Sequence, residues 1–173
     1  GAGGVFASQF HLLSHSVFKA LLFLAAGAVI HSAGTRDMRQ MGGLGKFMPL
    51  TRAVFVIGGL ALAGIPIFNG FWSKELILEA GLHGNPLWLY ALMVIVAGLT
   101  AFYTVRMISM VFYGEAHPGL HIHDAGKAMK VALLPLAIGT LTTWLLAGPF
   151  GSLLAESLPA HHLEVESTLA ILE

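Results

Sequence analysis

Six ionisable side chains lie inside stretches that are otherwise apolar enough to cross a membrane: His11, His15, Lys19, Lys74, Glu75 and Arg106. His11, His15 and Lys19 are four residues apart, so on a helix they line one stripe about 12 Å long. Imidazole titrates near neutral pH and can accept a proton on one nitrogen while the other nitrogen donates. A lysine amine can join such a relay when burial disfavours its charged form. These residue types at this spacing therefore predict a pathway for protons.

Lys74 lies in the segment GFWSKELIL, a few residues after the helix breakers Gly64, Pro66 and Gly70. A membrane tolerates the exposed backbone of a broken helix only where protein or water surrounds it. We expect the ammonium of Lys74 at the positive end of the second half-helix, in a low dielectric, and both conditions favour loss of its proton. Glu75 is expected to pair with Lys74 or with a neighbouring subunit. The alternative is that these two residues form a purely structural ion pair.

Other polar groups have simpler explanations. His11, taken alone, also fits a hydrogen-bonded packing residue, and Arg106 fits an anchor near a helix end. The histidines at 117, 121 and 123 and at 161–162 lack the fixed spacing of a metal site and fit solvated loops. No glycine segment has the spacing of a nucleotide-binding loop. We therefore predict no metal and no cofactor in this chain.

The composition places these residues in a membrane protein. Of the 173 residues, 56% are hydrophobic and 10% are charged, and the mean hydropathy is +0.79. Soluble domains carry about 25% charged residues. Nine Lys and Arg residues balance nine Asp and Glu residues, which argues against a nucleic acid partner. Because the chain begins with Gly1 and ends in apolar sequence, we expect it to be an internal piece of a longer protein.

Four apolar stretches are long enough to span a bilayer core of about 30 Å. The first runs over about residues 5–31, the third over 86–114, and the fourth over 129–148 with a bend at Pro135. The second starts near Thr51 and is interrupted at GIPIFNG, because a continuous helix from Arg52 to Gly81 would be about 45 Å long. Residues 149–173 are predicted to be a surface segment or a truncated helix. The predicted fold class is thus an all-α polytopic membrane protein with about four transmembrane helices, the second one broken.

The loop charges predict an orientation. Segments 34–50 and 114–128 follow the first and third spans, so they lie on one side, and both contain or adjoin Lys and Arg residues. The turn between the second and third spans, GLHGNP, has neither. The positive-inside rule places loops 34–50 and 114–128 on the cytoplasmic side. Trp88 and Tyr90 fit an aromatic belt at the opposite interface.

Three sequence blocks resemble a known family. HLLSHSVFKALLFLAAGAVIH, MGGLGKFMPLT and ALAGIPIFNGFWSKELIL are similar to signature segments of the antiporter-like subunits of respiratory complex I and of the related Mrp-type cation/proton antiporters. The later segment FYTVRMISMVFYGE resembles the chain L (subunit 5) group more than its siblings. Ile67 departs from the pattern, because many members have a second proline there, and we expect this to loosen the break slightly.

The resemblance implies roles for the polar residues. Lys74 matches the lysine of the broken helix, the presumed exit-side proton carrier, and Glu75 matches an acidic position beside it. Lys19, His15 and His11 match the polar helix that links two half-channels. Residues 1–148 would then belong to the second inverted repeat of the proton-translocation domain.

The resemblance also implies a function. The chain would be a fragment of a proton-translocating membrane-arm subunit of an NADH-quinone oxidoreductase, a translocase, with no redox centre of its own. NADH, flavin, iron–sulfur clusters and quinone would be bound by partner subunits. The implied location is an energy-converting membrane, a bacterial or archaeal plasma membrane, with lipid, protons and other membrane-arm subunits as partners. Two alternatives remain open: a subunit of a multicomponent sodium/proton antiporter, and a structural subunit that transports nothing.

Overall fold

The computed structural model describes residues 4–84, 86–115 and 122–157. Those residues form six α-helices: α1 (Val5–Ala33), α2 (Pro49–Ala63), α3 (Asn69–Gly84), α4 (Leu87–Phe112), α5 (Lys127–Thr142) and α6 (Ala147–Ser157). Short 3₁₀ helices occupy Met38–Gln40, Leu44–Lys46 and Thr143–Leu146. No strand occurs in these three ranges, and the predicted all-α fold is confirmed.

Glycine and proline set the ends of the first two helices. α1 stops at Gly34, which has the left-handed φ of 69° and donates its N–H to the carbonyl of Ile30 at 2.9 Å. Pro49 opens α2, where its missing N–H costs no hydrogen bond. The observed end of α1 lies two residues beyond the predicted one.

The second span is broken as predicted. α2 ends at Gly64, which has a φ of 79°, and α3 begins at Asn69. The two half-helices contain 15 and 16 residues, so each is about 22 to 24 Å long. Ile67, inside the break, has a φ of 87°. A proline could not adopt this φ, and for a β-branched residue the conformation carries strain of about 1 to 3 kcal/mol.

α1 is the central helix and packs against α2, α3 and α5. Phe18 and Leu21 of α1 are fully buried in the core. Gly58 lets α2 approach α1 closely, since a Cβ there would lie 2.9 Å from the side chain of Leu22. Small residues have this role between membrane helices because apolar side chains gain little by leaving lipid. The rigid α1–α2 packing fixes where the polar stripe of α1 lies.

The last apolar stretch extends further than its predicted end at Gly148. α5 contains Pro135, as predicted, and continues through a 3₁₀ turn into α6, which reaches Ser157. Pro149 falls in the first turn of α6, where a missing N–H is tolerated. Phe150 packs with its ring centroid 6.2 Å from that of Phe10, which gives the extra helix an apolar partner. Residues 158–173 lie outside the described ranges.

Three helical segments in the described ranges are long and apolar enough to cross a membrane: Val5–Ala33, Leu87–Phe112 and Lys127–Leu154. Pro49–Ala63 is a shorter apolar helix. Much of α4 faces outward, including Ile95, Leu99 and Phe102, each more than half exposed. In a bilayer such a face meets lipid or another subunit.

The segment before α5 closes one end of the bundle. The carboxylate of Asp124 accepts hydrogen bonds from the hydroxyl of Thr51 at 2.7 Å and from the backbone N–H groups of Leu50, Thr51 and Ala125 at 2.8 to 3.3 Å. Lys130 adds a salt bridge at 3.8 Å. Burial acts to raise the pKa of Asp124, but these hydrogen bonds outweigh burial and hold the pKa below its usual value.

Candidate functional site

The polar stripe predicted on α1 is present and partly buried. His11, His15 and Lys19 each have intermediate exposure. The ring centroids of His11 and His15 are 5.7 Å apart, one helical turn along α1. The rings of Phe18 and His15 meet edge to face with 5.2 Å between their centroids, so one side of the second imidazole has an apolar neighbour. The two imidazoles are therefore neighbours on one face.

Ser73 joins this stripe to α3. Its side chain is fully buried, and its Oγ lies 2.9 Å from Nδ1 of His11. The same hydroxyl lies 3.4 Å from the carbonyl of Gly70, to which it can donate. A serine hydroxyl both donates and accepts hydrogen bonds. It can therefore donate a hydrogen bond to Nδ1 in one imidazole tautomer and accept one from the Nδ1–H group in the other. No role was predicted for Ser73 from the sequence. Its position directly before Lys74 in a broken helix is the sequence feature that could have indicated one.

Lys74 reaches back across the break. Its ammonium donates a hydrogen bond to the carbonyl of Leu62, in the last turn of α2. The aliphatic part of the side chain passes over Gly64, where a Cβ would lie 3.2 Å from Cδ of Lys74. Gly64 thus provides both the left-handed turn that ends α2 and the space that Lys74 occupies.

This position differs from the predicted one. We expected the ammonium at the positive end of α3, but it lies at the carboxyl end of α2, where backbone carbonyls without helical partners carry partial negative charge. Lys74 is the sixth residue of α3, and its side chain is long enough to turn back towards the unwound segment. The break therefore offers the ammonium an acceptor.

The acidic neighbour is placed elsewhere. Glu75 is exposed and, within the described ranges, forms no ion pair with Lys74. Consecutive residues on a helix point about 100° apart, so Glu75 faces away when Lys74 faces α1. Arg106 is also exposed. The cluster around Lys74 consists of basic groups, and the charges of His11, His15 and Lys19 interact with it or with one another.

A cleft of about 330 Å³ opens beside these groups, between α1, α3 and α4. His11 and Lys74 both line it. Its remaining walls are almost entirely apolar: Ile77, Leu78, Leu92, Met93, Val96, Ala97 and Thr100. The volume is large enough for several water molecules, each of which occupies about 30 Å³ in the liquid. The imidazole and the ammonium therefore face the same small cleft.

A buried amide ties the break to α1. Asn69, the first residue of α3, is fully buried, and its Nδ2 donates to the backbone carbonyl of Ser14 at 3.3 Å. This hydrogen bond fixes the start of α3 against the helix that carries His11 and His15. The relative positions of Lys74 and the imidazoles thus depend on Asn69.

The remaining histidine predictions fall partly outside the structure. His117, His121, His161 and His162 are not among the described residues. His123 is described and lies beside His31. Within residues 4–84, 86–115 and 122–157, no group of three or more His, Asp or Glu side chains is arranged to hold a metal ion.

Comparison with known proteins identifies the family. Residues 1–100, which contain the entire cluster, match the family described as "NADH:quinone oxidoreductase/Mrp antiporter, TM". The chain belongs to this family. The resemblance inferred from the three sequence blocks is thereby confirmed.

One relative is a chain of a quinone oxidoreductase. The NAD(P)H-quinone oxidoreductase chain 5 of Picosynechococcus sp. is 38% identical in an alignment that covers 88% of this chain and 27% of the relative. The chain thus spans about a quarter of the length of this relative.

Two solved structures share the fold. One is the membrane-bound sulfane sulfur reductase, an archaeal respiratory membrane complex, with a TM-score of 0.82, 31% identity and coverage of 87% of this chain and 26% of that one. The other is the Mrp complex from Dietzia sp., with a TM-score of 0.81, 25% identity and coverage of 100% of this chain and 40% of that one. Both are multi-subunit membrane complexes, so the fold occurs in chains that assemble with others.

Proposed function

We propose that this chain is part of the proton-translocating subunit of an NADH-quinone oxidoreductase, and that Lys74, His11, His15 and Lys19 move the protons. The observation that carries the proposal is the joint position of Lys74 and His11 on one cleft inside a broken span. An ionisable residue inside a membrane is costly, and it is usually retained for transport. The 38% sequence identity with chain 5 of an NAD(P)H-quinone oxidoreductase supports the assignment to an NADH-quinone oxidoreductase.

The local chemistry supports a stepwise transfer. The hydrogen bond between Nδ1 of His11 and the hydroxyl of Ser73, at 2.9 Å, orients the imidazole, and its other nitrogen takes a proton from the cleft and releases it to His15. Lys74 holds its proton while bound to the carbonyl of Leu62 and can pass it into the cleft when that bond opens. Lys19 and Lys74 interact electrostatically as like charges. A relay needs this coupling, since it must pass protons on rather than store them.

The partners and the membrane follow from the same proposal. Electron transfer, with its nicotinamide, flavin, iron–sulfur and quinone sites, would occur on other subunits of the complex. The outward apolar face of α4 is suited to lipid or to a neighbouring membrane-arm subunit. We propose that the loops at 34–50 and 114–128 face the cytoplasm of a bacterial or archaeal cell, on the basis of their positive charges.

The test uses Lys74 in the full-length subunit within its complex. We expect Lys74→Ala and Lys74→Arg both to lower coupled proton transport by about tenfold or more, because neither side chain can release a proton. Lys127→Ala, which removes an exposed lysine at the start of α5, is the matched control and should transport normally. Proton uptake into proteoliposomes is measured with a pH-sensitive dye, and assembly is followed by the partner subunits that copurify.

Lys74→Arg distinguishes the proposal from a purely structural role. Arginine keeps the positive charge and can still bond to the carbonyl of Leu62, so a structural subunit would tolerate it. Normal transport by an assembled Lys74→Arg complex would contradict the proton-carrier role. Loss of transport with intact assembly would support it.

The second candidate is a subunit of a sodium/proton antiporter, favoured by the Mrp complex, whose fold covers the whole of this chain. The same proteoliposomes separate the two functions. Proton movement that needs an electron donor and a quinone supports the oxidoreductase. Proton movement that needs only a sodium gradient supports the antiporter.

A further inference from the structure

Two histidines far apart in the sequence meet at one end of the bundle. The ring centroids of His31, in the last turn of α1, and of His123, before α5, are 5.8 Å apart, and the rings meet edge to face. Both side chains are exposed. Neither belongs to the proton relay, which lies two or more helical turns away along α1.

The backbone holds the two rings together. The hydroxyl of Ser32 donates to the carbonyl of His123 at 2.8 Å and accepts from the N–H of His123 at 2.9 Å. The next residue, Asp124, is tied in turn to the start of α2 through Thr51. His123 is therefore fixed beside the end of α1 by bonds that do not involve its own ring.

One imidazole nitrogen of His123 is committed to a donor role. Nδ1 lies 3.2 Å from the backbone carbonyl of Asp124, and a carbonyl can only accept. In the neutral imidazole this contact requires the hydrogen on Nδ1, and that tautomer has its lone pair on Nε2. Histidines that ligate metals show this arrangement, in which one nitrogen bonds a carbonyl and the other bonds the metal.

We propose that His31 and His123 form a two-imidazole site for a divalent transition metal of the zinc class, with water completing the coordination. With Zn–N bonds of about 2.0 Å at a tetrahedral angle, the ring centroids of two ligating histidines lie about 5.2 Å apart, so a bound ion would draw the two rings, now 5.8 Å apart, about 0.6 Å closer together. Magnesium and calcium are not suited, because they prefer oxygen ligands. A bound metal would link the end of α1 to the segment that precedes α5.

The test is metal binding by the purified full-length complex. Zn²⁺ is titrated into the wild-type complex and into His31→Gln and His123→Gln variants, with His83→Gln, an exposed histidine on α3, as the matched control. We expect His31→Gln and His123→Gln each to bind one Zn²⁺ fewer per complex than the wild type. The double variant should bind as much Zn²⁺ as either single variant. His83→Gln should bind as much as the wild type. Thermal unfolding without metal verifies that the variants are folded.

A second measurement counts the ligands directly. Pulsed electron paramagnetic resonance of bound Cu²⁺ reports the number of coordinating imidazoles. The signal that the wild type has and either variant lacks should correspond to Cu²⁺ with two coordinating imidazoles. Equal Zn²⁺ binding by all variants, loss in only one of the two, or a difference signal from a single imidazole would overturn the proposal. Neither measurement depends on proton transport, so failure here would leave the proposed function untouched.

Discussion

Asp124 links two segments of the chain, because its carboxylate accepts four hydrogen bonds, three from α2 and one from its own loop. It acts as a cap for α2 that comes from a distant part of the chain. Replacement by asparagine removes the charge that interacts favourably with the helix start. We expect Asp124→Asn to lower the free energy of unfolding by about 1 kcal/mol. The thermal midpoint of the detergent-solubilised full-length subunit measures this, with Glu156→Gln, an exposed carboxylate on α6, as control.

The same variant has a defined pH dependence. The pKa of Asp124 is lowered in the folded state, so its stabilisation is present at a pH above the ordinary aspartate value and is lost as the pH falls towards the folded value. The difference between wild type and Asp124→Asn should be constant above about pH 5 and shrink below about pH 4. A difference that grows on acidification would contradict the hydrogen-bonded carboxylate described above.

The residues of the relay show what sequence can and cannot predict. The stripe of His11, His15 and Lys19 follows from helical periodicity alone, and the structure keeps it on one face. The bond from Lys74 to Leu62 and the bond from Ser73 to His11 depend on how α3 crosses its neighbours. No local pattern contains that crossing, so the ammonium of Lys74 was expected at the start of α3, whereas it bonds to the carboxyl end of α2. The roles of these residues in transport stay predictions.

At the level of elements, the contact between α3 and the end of α2 allows no side chain at Gly70. A Cβ there would overlap the backbone carbonyl of Ala61, which also accepts the N–H of Gly64 at 3.1 Å. We expect Gly70→Ala to displace α3, to destabilise the subunit by about 1 to 3 kcal/mol and to weaken the Lys74 contact with Leu62. Thermal unfolding and proton transport of the assembled complex measure both effects.

Gly98 provides the matched control for that substitution. It lies in α4, and a Cβ there would meet no atom within 4 Å. Gly98→Ala should be neutral or stabilising by about 0.5 to 1 kcal/mol, because alanine favours the helix more than glycine does. Equal behaviour of the two variants would show that the close approach at Gly70 is absent from the protein.

The elements themselves were predictable because membrane spans are defined by composition over long windows. The break was predictable because Gly64, Pro66 and Gly70 cannot continue a helix together. For residues 149–157 the sequence left a surface segment and a truncated helix open, because GSLLAES is too polar to be recognised as part of a span, and the structure has a helix there. It is helical because Phe150 and Leu154 pack against the cluster that includes Phe10, and such packing is a tertiary property.

For the molecule as a whole, the topology can be tested with cysteine labelling, since the 173 residues contain no cysteine. Met38→Cys and Glu115→Cys lie in the connections after the first and third spans, and Leu82→Cys lies near the end of α3; all three positions are exposed. In a full-length background without other cysteines, a membrane-impermeant maleimide added to intact cells should label Leu82→Cys only. Opening the cells should make the other two reactive.

Two other labelling patterns would contradict this topology. If one of Met38→Cys and Glu115→Cys is labelled in intact cells and the other only in opened cells, the two positions lie on opposite sides of the membrane. An odd number of membrane crossings then separates them, and the broken α2–α3 pair does not cross as one span. If both are labelled from outside, the positive charges of the loops do not set the orientation.

The unwound segment between α2 and α3 has a mechanical consequence. A continuous helix resists stretching through every backbone hydrogen bond along its length, whereas the five residues between the two helices have only a few turn hydrogen bonds and can yield while both rods stay intact. Any displacement of α3 relative to α2 therefore acts first on the contact between the Lys74 amine and the Leu62 carbonyl, which bridges the gap. The gap is thus the place where a relative movement of the two rods would open that contact.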